Sequence, residues 1–293
     1  MSNDIGKSIA LIIAPYHTGI HNHRVGAGPH RILAKGLLDR LHNLGYTFTF
    51  KEIDPVDDFE GEIGRSFEVI RRIASYVSEA VKHGSFPILL AGNCNAEIGV
   101  AAAMSGIQDF EVVWFDAHSN MDSPDEATSG YFDGMGVSML MGESWKALMA
   151  TVTGHRLVSL DRAIFCGVRD LSDGQRTKLE KSSARVVYGG SASQVDFASG
   201  LGVLFDRTAK SSCLVHVDLD CLDTSIGLAN EYAAPGGLGA DELLDCLNVI
   251  SAKRKPIALM VASFSPDLEG GDQIADVAVD AIVHLMSVIK EKS

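Results

Sequence analysis

Glu111-Val-Val-Trp-Phe-Asp-Ala-His-Ser-Asn-Met-Asp122 changes character halfway along its length. Val112 to Phe115 is an apolar run of β-branched and aromatic residues, too short for a helix and suited to a strand covered on both faces. From Asp116 onward the stretch holds carboxylate, imidazole, hydroxyl and amide side chains. Two other places repeat the change. Leu214-Val-His-Val is followed by Asp218-Leu-Asp-Cys-Leu-Asp223, and Pro87-Ile-Leu-Leu by Ala91-Gly-Asn-Cys-Asn95. Strands that run into chemistry-bearing loops suggest a parallel sheet, because open parallel sheets bind ligands outside the carboxyl ends of their strands.

Candidate strands along the chain are Ile9–Ala14, Thr47–Ile53, Pro87–Ala91, Glu111–Phe115, Ala163–Val168, Arg185–Tyr188, Leu214–Leu219 and Ile257–Ala262. Most are solidly apolar rather than alternating, as in parallel strands buried on both faces. Amphipathic segments lie between them: Pro29–Leu44, Ile63–Lys82, Leu171–Lys181 and Asp241–Lys253. In a last one, Gln273–Lys290, the residues Ile274, Val277, Ala281, Ile282 and Leu285 recur at helical spacing. Strand–helix alternation of this kind predicts a doubly wound α/β sandwich. No internal repeat, low-complexity tract or Pro-rich linker interrupts it, so residues 1–293 read as one domain. The longest irregular stretches, Ser119–Gly134 and Asp220–Gly239, both follow strands, and long loops in compact domains are usually functional.

The chain carries 25 Lys+Arg against 38 Asp+Glu, a net charge of −13. That balance argues against nucleic acid, whose phosphates need a basic face, and against docking on an anionic membrane. No apolar stretch approaches the roughly 20 residues of a bilayer span. The apolar run near the N-terminus, Ile9 to Ala14, has no basic leader or small-residue cleavage site, so a secretory signal is not expected. Five cysteines, an odd number with no Cys-x-x-Cys pair, read as reduced thiols of a cytoplasmic protein.

On an extended segment residues two apart share a face. Asp116, His118 and Asn120 then point one way, and so do Asp218 and Asp220. Clustered carboxylates cannot stay ionised without a cation. Carboxylate-plus-imidazole sets suit Mn²⁺ or Zn²⁺, which lower the pKa of bound water and supply hydroxide near neutral pH. Each residue taken alone has an ordinary explanation. An Asp after a strand usually caps a helix, and a buried Cys is usually a small hydrophobe. The combination D-x-H-x-N with D-x-D at strand ends favours metal binding over those readings.

At these residues the chain resembles the arginase/agmatinase/formiminoglutamase (ureohydrolase) family. The resemblance includes Gly26-Ala-Gly-Pro29, Gly167-Val-Arg-Asp170, the Asp116 and Asp218 segments, and Ala233-Ala-Pro-Gly-Gly-Leu238. It implies a three-layer sandwich around a mostly parallel eight-stranded sheet, matching the eight candidate strands. It also implies a two-manganese centre that hydrolyses a C–N bond of guanidino or formimino substrates, and a homo-oligomer, trimer or hexamer. The family motifs are G-G-D-H-S, D-A-H-x-D and D-x-D. Asp116 and Asp218 match the two bridging carboxylates, and His118 and Asp220 the other ligands of one ion. In the second subsite Cys94 stands at a His position and Asn120 at a carboxylate position, so one firmly bound Mn²⁺ is expected. In Ser129-Gly-Tyr-Phe-Asp-Gly134, Asp133 stands where arginases place a His, and it can exchange protons only if burial raises its pKa. Ser263 stands where arginases place a guanidinium-holding Glu. Asp122 stands where an Asn contacts the amino acid's carboxylate end, and a carboxylate there prefers a cation. Losing the guanidinium partner should cost about 3–5 kcal/mol if the charge is buried.

The expected metal ligands are therefore Asp116, His118, Asp218, Asp220 and Cys94. The expected catalytic groups are Asp133 and Cys94, and the expected substrate contacts are Asp122, Ser129, Asn120 and Ser263. The favoured reading is a metal-dependent hydrolase of a small guanidino or amidino compound other than plain L-arginine. The alternatives are a non-catalytic ligand-binding or regulatory subunit, and different C–N chemistry on the same fold in specialised metabolism. A cysteine nucleophile at Cys94 is a further mechanism, for which spacing alone locates no base or orienting group. His17, His21, His23 and His30 form a His-rich segment able to face the site; no pair shows a known ligand spacing, so ordinary loop and helix roles are the favoured reading.

Overall fold

All eight expected strands form, within a residue or two of the expected bounds. The chain, described by a computed structural model over residues 8–57, 61–107, 109–192, 194–209 and 211–292, has ten strands. They are β1 Ser8–Ala14, β2 Tyr16–His17, β3 Ile20–His21, β4 Thr47–Glu52, β5 Phe86–Ala91, β6 Glu111–Phe115, β7 Ala163–Val168, β8 Arg185–Tyr188, β9 Ser212–Asp218 and β10 Lys255–Ala262. Eight of them make one sheet in the order β4-β1-β5-β10-β9-β6-β7-β8, with every pairing parallel. The extra pair, β2 and β3, is a hairpin turning on Thr18 and Gly19, whose φ angles of 50° and 77° give the twist such tight turns need. Two-residue strands carry no periodicity, so the hairpin is invisible to pattern reading.

The solid apolar strands are explained by packing on both faces. Along β1, Ile9, Leu11 and Ile13 enter one core layer while Ile12 and Ala14 enter the other. In β6, Val113 and Phe115 go one way, and Val112 and Trp114 the other. Helices α1 (Gly28–Ala34), α2 (Leu37–Asn43), α8 (Phe197–Asp206), α9 (Ala240–Lys253) and α10 (Gly271–Glu291) cover the first layer. Helices α3 (Glu62–Lys82), α4 (Glu97–Ala103), α5 (Gly136–Leu140), α6 (Lys146–Met149) and α7 (Asp173–Lys181) cover the second. The expected helix Pro29–Leu44 is two helices, because Gly36 adopts φ +82° and ends the first. The expected segment Leu171–Lys181 starts later, at Asp173, where Ser172 and Gln175 form a reciprocal capping box.

Register places the candidate site. Phe115 aligns with Val217, Ala262 with Asp218, and Val261 with Leu90. The loops leaving β5, β10, β9, β6 and β7 therefore start side by side on one edge of the sheet. Arg169, just after β7, braces them. Its guanidinium donates to the carbonyls of Gly167 (2.9 Å), Asp220 (2.8 Å), Leu222 (3.1 Å), Ala234 (2.6 Å) and Pro235 (3.1 Å). This accounts physically for both Gly-Val-Arg-Asp and Ala-Ala-Pro-Gly-Gly-Leu. A Cβ on Gly237 would stand 2.6 Å from Arg169 Nη2 and 2.4 Å from the Cys221 carbonyl, so that position has room only for glycine. Arg169→Lys keeps the charge and loses the fork, and is expected to cost about 2–3 kcal/mol in urea unfolding. An unchanged midpoint would show that the carbonyls do not depend on it.

At the opposite end of the sheet, the buried Glu111 accepts from Arg185 (2.6 Å), Ser211 (2.9 Å) and the buried Arg254. Burial opposes ionisation of Glu111, but Arg254 and Arg185 outweigh it and hold the carboxyl below its usual range. Such a depressed pKa stabilises above the unfolded value of about 4.3 and ceases to as pH falls through the lower folded value. Glu111→Gln should cost about 3–5 kcal/mol at pH 7 by leaving Arg254 buried without its partner. The gap to the parent protein should narrow below about pH 4. A gap that stays constant into acid would place the loss elsewhere.

Candidate functional site

Asp116 is the first residue past β6 and is fully buried. Its carboxylate accepts from Trp114 Nε1 (2.8 Å), the His118 backbone N–H (2.7 Å) and Asn120 Nδ2 (2.6 Å). Asp220, two residues past the end of β9, accepts from the Ala117 N–H (3.0 Å) and Asn230 Nδ2 (2.9 Å). His118 Nδ1 sits between them, 3.2 Å from Asp116 Oδ1 and 3.3 Å from Asp220 Oδ2. These three residues offer ligand atoms that all lie within 4.8 Å of one another. The other ring nitrogen of His118 is 3.5 Å from Asp170, an outer carboxylate of the kind that orients metal-ligating imidazoles.

The electrostatics call for a cation. Burial and then the Asp220 charge push Asp116 up to about 6. Asp218 is driven well up by burial and by both neighbouring aspartates. Burial disfavours a charged His118, yet the two carboxylates overcome it and push its pKa up to about 12. Burial also opposes ionisation of Asp220, but the adjacent imidazolium keeps it ionised. In this state a single imidazolium stands between the Asp116 and Asp220 carboxylates, with the Asp218 carboxyl beside them. The donor set of two carboxylate oxygens and an imidazole nitrogen, with excess negative charge around it, fits a divalent cation.

Asp218 belongs to a second constellation. Its Oδ2 accepts from Cys94 Sγ at 2.9 Å. Cys94, entering from the end of β5, also lies 3.1 Å from Ser263 Oγ and 3.2 Å from His216 Nε2. His216 Nδ1 is 3.3 Å from Glu97 Oε2 in α4, and the imidazole stacks on Trp114 with 3.6 Å between ring centres. Cys94, Asp116 and His216 form a second group whose ligand atoms lie within 4.8 Å. His216 and Glu97 were not singled out from the sequence. His216 shares a strand face with Asp218, two residues on, so the period-2 rule was the available signal. Glu97 reads as an ordinary first-turn acid.

The remaining expected residues gather around a cleft of about 160 Å³ above these groups. Asp122, Ser129, Asp133, Asn120 and Ser263 all line it, with Asp218, Asp220 and His118. Asn120 reaches Asp116 because its backbone turns through φ 48°, which ends the extended run on which the same-face expectation rested. Its amide nitrogen, not its oxygen, faces Asp116. Asp122, an expected substrate contact, lines the cleft and accepts from Gln175 Nε2 at 2.8 Å. Asp223 is outside the cluster and caps the Gly236 and Gly237 N–H groups at 2.7 and 3.2 Å. Asp133 accepts from Asn93 Nδ2 (2.8 Å) and from the backbone N–H groups of Cys94 (3.1 Å) and Asn95 (2.8 Å). Burial raises its pKa to about 6 against these donors. Ser129 is exposed and accepts from the Tyr131 N–H at 3.2 Å.

Aromatic rings form one wall, with Tyr131 5.4 Å from Tyr232 and 6.3 Å from His17 between ring centres. His17 is thus a cleft residue, not an ordinary loop histidine. Its ring is buried, which lowers its pKa to about 4, with Arg24 nearby adding to the effect. Among the described residues, no lysine or arginine lines the cleft.

A model of the arginase family matches residues 7–287. The arginase of Eremothecium gossypii is 27% identical over 291 residues, covering 91% of this chain and 71% of that protein. The solved arginase of Bacillus caldovelox superposes with a TM-score of 0.82 at 20% identity, covering 98% of this chain and 99% of that one. Proclavaminate amidino hydrolase of Streptomyces clavuligerus gives 0.75 at 18% identity, covering 98% and 93%. The fold, the clustered acidic groups at the sheet edge and a match over nearly the whole length agree: the chain belongs to the arginase family.

Proposed function

We propose that this protein is a metal-dependent hydrolase that cleaves a C–N bond of a small, cationic guanidino or amidino compound other than plain L-arginine. The observation that carries the reading is the convergence of Asp116, His118 and Asp220 beneath a cleft lined by carboxylates and aromatic rings. These residues, with Asp218, would hold one Mn²⁺. When bound, such an ion supplies Lewis-acid activation of water near neutral pH. The relatives named arginase and amidino hydrolase support the bond type.

The chain's own residues shape what enters. Asp122 places a negative charge where an amino-acid carboxylate would otherwise approach, and it attracts an amidinium or ammonium group instead. Tyr131 and Tyr232 offer ring faces to a cation. Ser263 and Ser129 offer hydroxyls rather than a charge. Asp133 spends both carboxylate oxygens on the segment Asn93–Asn95, so its role is to position Cys94. We place the protein in the cytoplasm, as a trimer or hexamer; the five free, buried cysteines and the family membership support this. The non-catalytic reading draws on Asn120, whose amide proton faces Asp116 where the resemblance places a carboxylate.

Metal analysis of protein purified without chelator, followed by urea and ammonia release over a panel of guanidino compounds, separates the two. Turnover is expected with Mn²⁺ on a member lacking an α-carboxylate, and not on L-arginine. Asp220→Asn should weaken the ion by at least about 100-fold, the upper end for losing a mere outer partner. Retained metal with no product from any member would favour the non-catalytic reading. Asp122→Asn should raise KM for a cationic substrate about tenfold, the scale of roughly 1.4 kcal/mol, with kcat little changed. An unaltered KM would remove Asp122 from substrate selection.

A further inference from the structure

Cys94 and Asn120 look like a decayed second metal subsite when read from the sequence. In the fold, Cys94 gains partners that spacing did not reveal. Its Sγ lies 3.2 Å from His216 Nε2 and 2.9 Å from Asp218 Oδ2, with the Asp116 carboxylate in the same group. Around a tetrahedral zinc ion, with about 2.3 Å to sulfur and 2.0–2.1 Å to nitrogen, the two donor atoms stand roughly 3.5 Å apart. The observed spacing is within a few tenths of an ångström of that.

The surroundings of His216 favour a ligand. Glu97 lies against its Nδ1, so an N–H donated there leaves the Nε2 lone pair facing Cys94, and Trp114 fixes the ring plane by stacking. A carboxylate behind a histidine is the usual outer support of a metal ligand. The other oxygen of Glu97 is buried with no hydrogen-bond partner among the described residues, so this carboxyl is held in place at a cost. A thiol, imidazole and carboxyl in a row also resemble a cysteine-nucleophile triad. That alternative requires access. Cys94 is 1% exposed and His216 0%, and neither lines the cleft, whereas their neighbours Asp218 and Ser263 do.

We propose that Cys94, His216, Asp218 and Asp116 form a second cation subsite, selective for a thiophilic divalent ion of the zinc class. It lies beside the oxygen-rich subsite of Asp116, His118 and Asp220. The inference rests on the proposed metal-dependent function but concerns a different ligand set. Sulfur and imidazole donors prefer zinc-class ions, whereas carboxylate-rich sets accept manganese. Binding replaces the Sγ proton, which leaves to solvent. Asn120 is then no ligand at all; its amide donates to the shared Asp116.

Cobalt(II) is the probe. Metal-stripped full-length protein titrated with Co²⁺ should take up two ions per chain. One of them should bring a thiolate-to-cobalt charge-transfer band that Zn²⁺ displaces and excess Mn²⁺ does not. Cys94→Ser should lose the band and one ion while keeping the other. Glu97→Gln should weaken the ion that gives the band by about 10–100-fold, and Asp220→Asn should keep the band while losing the other ion. One ion without the band, with Cys94 still titrating as a free thiol in the metal-loaded protein, overturns the second subsite and leaves the proposed function standing. No ion at either place overturns both. Should Cys94→Ser not fold, the band in Asp220→Asn still decides.

Discussion

Asp116, Asp218 and Asp220 bring three carboxylates into the buried edge of two neighbouring parallel strands, and much of the local structure serves to keep that charge there. Burying like charges together is unfavourable unless each is hydrogen-bonded and the excess is balanced. The hydrogen bonds are present: backbone N–H groups of Ala117, His118 and Asp220, the Trp114 indole and the Asn120 and Asn230 amides all donate to them. The balancing charge is smaller than needed, because among the described residues His118 alone contributes a positive centre inside the cluster.

That electrostatic deficit sits on a stiff frame. The eight-stranded sheet sets which strand ends are neighbours, and its two covered faces leave the strand ends as the places where polar side chains can emerge. Arg169 stitches the carbonyls of the loop after β9 to the end of β7. Five donors in a fixed plane can satisfy several carbonyls at once, which a lysine cannot do. The loop carrying Asp220 is therefore held through its backbone carbonyls, that of Asp220 itself among them.

The frame is that of the arginase family, and the side chains at its carboxyl edge set the chemistry. Asn120, Asp122, Asp133 and Ser263 line the cleft, and Cys94 lies buried against Asp218 and Ser263. Chemistry is free to differ on a shared scaffold. The cleft side of the molecule carries acids and aromatic rings.

The apolar pattern of the chain by itself determined the eight strands, their parallel arrangement and most of the long helices, because continuous Val/Ile/Leu/Phe runs can be buried only between two covering layers. It also marked Asp116, His118, Asp218 and Asp220, since polar residues that abruptly follow such runs must emerge at the sheet edge. Gly36 and Asn120, by contrast, turn through positive φ angles, and those turns split a helix and bent a loop that periodicity had treated as regular. Only the tertiary structure decided the company of Cys94. His216 comes from a strand two places away in the sheet and Glu97 from the helix that follows Cys94. Contacts between residues over a hundred positions apart are set by sheet order and register, which local sequence does not encode.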